Sequence, residues 1–145
     1  MNAFRFMVLV YAAFLFSAPH CFAIGGPKKD FTPGYLCTKH DKDFKGFDYP
    51  SKIARCTRNV TKTLKRKVAE IYDVDESDWP QYEFDHLIPL CAGGSNDYRN
   101  LWPQMLDEAH EKDKLENKIC NGLKEGTMTQ DEAVDAVWEW FDAQS

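Results

Sequence analysis

The chain of 145 residues contains no Cys-x-x-Cys pair, so the ligand spacing usual for a structural zinc site is absent. It has no internal repeat and no low-complexity tract, which leaves one domain with a modest single core as the natural reading. No apolar run is comfortably long enough to span a membrane, which takes about 20 residues. Positive charge is also short: 18 basic residues stand against 23 acidic ones. A protein coated in basic residues is excluded, although charge can still be segregated locally.

What is present starts with an apolar N-terminus. Arg5 is the only charged residue before Lys28, and Phe6 to Phe16 is almost continuously apolar. Small residues follow, and Ala23-Ile24-Gly25 suits a cleavage site. A short basic start, an apolar centre and a small-residue exit describe a secretory signal peptide over residues 1–23. An uncleaved anchor is the alternative, and Pro19 and His20 before Cys21 argue against a lipid anchor there. Removal takes one of the 18 basic residues and no acidic ones, so 17 against 23 gives a net charge of −6. The expected location is secreted or periplasmic, with no membrane attachment after cleavage.

Four of the five cysteines then remain: Cys37, Cys56, Cys91 and Cys120. An even number in a small exported domain reads as two disulfides, and four cysteines admit three pairings. Cys37–Cys56 with Cys91–Cys120 is the favoured pairing, since each bond would tie neighbouring elements.

Along the mature chain, residues 24–50 are rich in Gly, Pro, Lys and Asp without a sustained period. They read as an irregular arm held by Cys37 and by Tyr35, Phe44 and Phe47. The main domain is expected over residues 51–145. Ser51 to Tyr72 reads as a helix, with Val60, Leu64, Val68 and Ile71 at helical spacing. It carries seven basic residues between Lys52 and Lys67 and no acid until Glu70. Most such runs are solvated faces. A one-signed run in an acidic protein suggests instead a phosphate-contacting surface of Arg55, Arg58, Lys62, Lys65 and Arg66.

Tyr82, Phe84, His86, Ile88 and Leu90 alternate as a strand does. Gly93-Gly94-Ser95-Asn96-Asp97 makes a loop, and Tyr98 to Trp102 reads as a short second strand. A helix is expected from Leu106–Asp107 to Asn121–Gly122. A last one, Gln130 to Ala143, sets Val134, Val137, Trp138 and Phe141 on one face. Its charges are all acidic, which makes it a poor surface for nucleic acid.

The order strand, Asp85-His86, Ile88-Pro89-Leu90, Gly93-Gly94-Ser95-Asn96, Asn100-Leu101, helix resembles the HNH, or ββα-metal, nuclease family. Asn100-Leu101-Trp102-Pro103-Gln104 with Ala109 to Glu116 is similar to its small exported bacterial members. Neither Asp-His nor Gly-Gly-Ser-Asn carries the likeness alone; their order and spacing do. The resemblance implies an α+β fold with a ββα-metal core over about residues 82–121, with added helices and disulfides. It implies a metal-dependent endonuclease of little sequence preference, acting as a monomer on nucleic acid, DNA before RNA. The rival readings are a binding module that kept the scaffold and lost catalysis, and a nuclease toxin or effector.

Phosphodiester hydrolysis needs an activated water and stabilisation of developing negative charge. Magnesium prefers oxygen ligands and keeps several waters, so few protein ligands suffice; manganese, nickel or zinc would also serve. Histidine suits the base, being largely neutral at working pH. By resemblance His86 is the general base, Asp85 a ligand of one divalent metal, and Asn100 the residue that braces the loop and orients the histidine. The family's helix position falls at Ala109, which coordinates nothing, so His110 next to it is the expected second ligand. Asp113 and Glu116 stand behind it, although pairing with Lys112 or Lys114 is their plainer use. Successive strand residues point to opposite faces, so the strand must bend for Asp85 and His86 to share a groove.

Overall fold

The computed structural model describes residues 25–144, and residues 1–23, where a signal peptide is expected, lie outside the described residues. The described chain is a mixed α+β fold with two small antiparallel sheets, three α-helices and two disulfides. No helix among the described residues is long and apolar enough to cross a membrane.

The first sheet is a hairpin of β1 (Phe44–Asp48) and β2 (Ile53–Cys56). Tyr49 and Lys52 take left-handed backbone angles (φ 62° and 56°), which turns the chain between the strands. This corrects two expectations. The arm over residues 24–50 ends in a strand, and a domain boundary at residue 50 would cut the hairpin. The helix expected from Ser51 begins only at Lys62, giving α1 (Lys62–Tyr72). Its start is set by Thr61, whose side chain accepts the Leu64 N–H at 3.2 Å. The arm is also pinned to the glycine loop: Cys37 N–H donates to the Gly93 carbonyl at 2.7 Å, and Ser95 N–H to that of Tyr35 at 2.9 Å. Phe47 is exposed and meets only Phe44 edge-on among the aromatic rings of the described residues.

The second sheet pairs β3 (Tyr82–His86) with β4 (Leu101–Met105), setting Asp85 opposite Trp102 and His86 opposite Leu101. The strand expected to reach Leu90 stops at His86, and Leu87 and Ile88 are both fully buried, which breaks the alternation. The second strand starts later than expected. Tyr98–Asn100 is a 3₁₀ turn instead, because the Asp97 carboxylate accepts the Arg99 N–H at 2.9 Å.

α2 (Leu106–Glu125) runs past the expected Asn121–Gly122 stop and ends at Gly126 in a left-handed cap. α3 (Gln130–Asp142) opens with a capping box between Thr129 and Glu132. β4 packs between α1 and α2, and α3 covers α2. Phe84, Leu87, Ile88, Leu101, Trp102, Val68, Ile119, Leu123 and Val137 form the core. Burying each such aliphatic side chain contributes about 1.5–3 kcal/mol. The disulfides pair as favoured from the sequence. Cys37–Cys56 ties the arm to β2, and Cys91–Cys120 ties the turn after β3 to α2.

Candidate functional site

The end of β3 is made by Asn100. Its Oδ1 accepts the Ile88 N–H at 2.9 Å, and its Nδ2 donates to the carbonyls of Ile88 (3.1 Å) and Ser95 (3.0 Å). Its own carbonyl accepts the Leu87 N–H at 2.8 Å. One buried amide thus bends the chain after His86. Gly94 lets the loop come this close, since a Cβ there would lie 1.8 Å from the Ile88 carbonyl oxygen. The bend brings both Asp85 and His86 to one cleft of about 120 Å³, lined also by Arg58, Pro89, Glu116 and the Cys91–Cys120 bridge.

His86 is buried, and its two ring nitrogens have different partners. Nε2 lies 3.0 Å from Asn96 Oδ1, and Nδ1 lies 3.2 Å from Arg58 Nη1. The Asn96 amide is oriented by its other contacts: Nδ2 donates to Asp43 (3.1 Å) and to the Thr57 carbonyl (2.8 Å), and Oδ1 accepts the Asn59 N–H at 3.0 Å. An oxygen facing Nε2 assigns the proton to Nε2 and leaves Nδ1 with its lone pair. Burial lowers the pKa of His86 to about 4, aided by the charges of Arg58 and Lys112 and opposed by Asn96 and Asp85. The imidazole is therefore neutral at neutral pH, with its basic nitrogen on the Arg58 side of the cleft.

Beside it lies a buried lysine. Lys112 is 1% exposed, and its ammonium donates to Asp85 Oδ2 at 2.5 Å, to the His86 carbonyl at 2.8 Å, and to Glu116 Oε1. All three ammonium protons are thereby used. Burial pushes the Asp85 carboxyl up, but Lys112 and the His86 N–H outweigh it and the net shift is downward. Burial raises Glu116, against the pull of Lys112 and with the push of Asp85. Burial disfavours the charged form of Lys112, yet Asp85 and Glu116 overcome it and the pKa is raised. The other Asp85 oxygen faces Arg58 Nη1 at 3.5 Å.

Two expectations about α2 need correction, those for His110 and Asp113. His110 is not in the cleft; its side chain is 87% exposed and lies 4.0 Å from Asp113, itself 67% exposed. The charges that turn inward are Lys112 and Glu116. A helix advances by about 100° per residue, so with Lys112 facing inward, His110 lies about 200° away and Glu116 only about 40°. The inward stripe is Lys112, Glu116, Ile119 and Leu123. The i, i+4 spacing of Lys112 and Glu116 is the signal that points to this pair. Asn96, the orienter of His86, has no comparable signal, because its partners come from distant segments.

The basic residues do not form one free face. Arg55 pairs with Asp48 (3.6 Å), and Lys62 (2.9 Å) and Arg66 (3.5 Å) share Glu76. Lys65 sits over the Phe84 ring, and only Arg58 reaches the cleft. The acids that answer the run come from elsewhere in the chain. These exposed pairs are weak and leave the cations free to exchange partners.

For a metal, Asp85 and Glu116 offer oxygen donors on one cleft, the chemistry a hard divalent ion takes. Cys37, Asp41 and Cys56 also lie close together, but the two sulfurs are bonded to each other and are not thiolates. No family model matches the chain, and comparison with the curated proteins and with the solved structures likewise gives no match.

Proposed function

We propose that the chain is an exported, metal-dependent endonuclease, with β3, β4 and α2 as its ββα-metal core and DNA as the preferred substrate. The observation that carries this reading is the neutral His86 imidazole. Its Nδ1 is unprotonated, its tautomer is held by Asn96, and it shares one cleft with two carboxylates.

In this reading Nδ1 of His86 takes a proton from the attacking water as the phosphorus–oxygen bond to the leaving group breaks. Asp85 and Glu116 would hold a divalent ion, which when bound supplies charge stabilisation at the phosphate and the leaving oxygen. Arg58 leaves Nδ1 as substrate enters and meets the phosphate, a partner suited to its planar fork. Asn100 is a positioning residue that fixes the bend, and Asn96 a positioning residue for the base. Lys62, Lys65 and Arg66 extend the phosphate-contacting surface. Export is supported by two disulfides, which persist in oxidising compartments.

The test is plasmid nicking by the mature protein with and without chelator, alongside a folded His86→Ala variant. Cleavage that needs a divalent ion and is lost in the variant is expected. Cleavage unaffected by His86→Ala refutes the assignment. A second reading, a nucleic-acid-binding module without catalysis, is favoured by Lys112 already filling the space between the carboxylates. It predicts binding without nicking under any ion.

A further inference from the structure

Lys112 occupies the position of an ion. Its ammonium is enclosed by three oxygens, from Asp85, Glu116 and the His86 carbonyl, and it is sealed from solvent. Both carboxylates line the cleft, whereas Lys112 lies behind them. The second Asp85 oxygen is already turned to Arg58. Both oxygens of the expected ligand are thus held by the chain's own cations. Arg58 also pairs with Glu83 at 3.3 Å, so three carboxylates face one ammonium and one guanidinium.

Resting on the metal reading above, we propose that Lys112 is an exchangeable cation, which a divalent ion must displace from Asp85 and Glu116 in order to bind. The site then has two forms. In the closed form the lysine bridges the carboxylates and the site is rigid without metal. In the loaded form the long lysine stem swings from between them and the ammonium becomes accessible. The geometry requires exclusion, because a hard ion at about 2.0–2.6 Å from these oxygens would lie where the ammonium now donates to them. The closed form lowers the apparent affinity for metal, by the fraction of molecules in which the site is free. Metal then binds best where something else, such as an incoming phosphate, helps to draw the ammonium out.

Manganese(II) alone is the probe, with the mature protein and no nucleic acid. Free manganese is followed by electron paramagnetic resonance, and Lys112 by a small acylating reagent read by peptide mass spectrometry. Lys112 is expected to be protected without metal and labelled at saturating manganese. Lys112→Met is expected to bind manganese about tenfold or more tightly than the wild type. If Lys112→Met does not fold, labelling of the wild type decides the matter. Manganese binding with Lys112 still protected overturns the exchange and leaves the metal reading standing. No binding by wild type or by a folded Lys112→Met overturns both.

Discussion

Acidification isolates His86 in a measurement that needs no substrate. Its folded pKa of about 4 lies below the ordinary 6.5, chiefly because burial disfavours the imidazolium. Between those values the unfolded chain carries a proton that the folded chain refuses, so stability falls as pH falls from about 6.5 towards 4. The contribution is intact above 6.5 and fully lost below 4. One pKa unit corresponds to about 1.36 kcal/mol, so lowering the pH from about 7.5 to about 4.5 should remove about 2–3 kcal/mol through His86 alone. The perturbation is His86→Gln, which keeps a polar side chain but cannot titrate. Urea unfolding followed by tryptophan fluorescence at several pH values gives stability against pH for both proteins. The wild-type curve should fall more steeply, by that amount, over that window. The matching kinetic signature is an acid limb in kcat/KM near pH 4 instead of 6.5, since that parameter reports the free enzyme. Parallel stability curves would refute the reasoning, because His86 would then titrate as an exposed histidine does.

Asn96→Ala removes the acceptor at Nε2, and kcat is expected to fall about 10²-fold with KM little changed; an equal effect on both would make Asn96 a binding residue. Replacing Cys91 and Cys120 by alanine should cost about 2–5 kcal/mol in chemical denaturation, and an unchanged midpoint would remove the bridge from the account of stability. Reversing Lys62 and Lys65 together to glutamate should flatten the salt dependence of duplex DNA binding in calcium, by about 0.9 in log–log slope for each phosphate that is no longer neutralised. An unchanged slope places the nucleic acid elsewhere.

The elements most legible in the sequence were those specified locally. α3 announces itself through a stripe of apolar residues, and the structure begins it where expected. β1 and β2 were hidden because they are short and owe their conformation to each other. Nothing local distinguishes Ile53–Cys56 from the basic helix that follows, and the decisive cap at Thr61 is a single residue. At the candidate site, Asp85, His86 and Asn100 were singled out by the resemblance of their order to a known motif, and the structure places Asp85 and His86 on one cleft with Asn100 at the bend behind them. His110 was misread because proximity in sequence is a poor guide on a helix, where two residues amount to more than half a turn. Asn96 was out of reach for another reason. It acquires its role from neighbours that assemble only once separate segments have met.

Asn96 carries that point further. Its partners Asp43, Thr57 and Asn59 lie 53, 39 and 37 residues away in sequence, and it in turn holds the imidazole. A partly folded chain has every residue of the site but no oriented imidazole, because the tautomer is specified by long-range interactions. Such interactions carry a larger loop-closure cost than local ones. On the proposed nuclease reading, competence for proton transfer would then arrive with completion of the fold. The hairpin of β1 and β2 brings together Asp43 and Thr57, which flank it, and so works as a latch whose closing fixes the orientation of Asn96 and, through it, of His86.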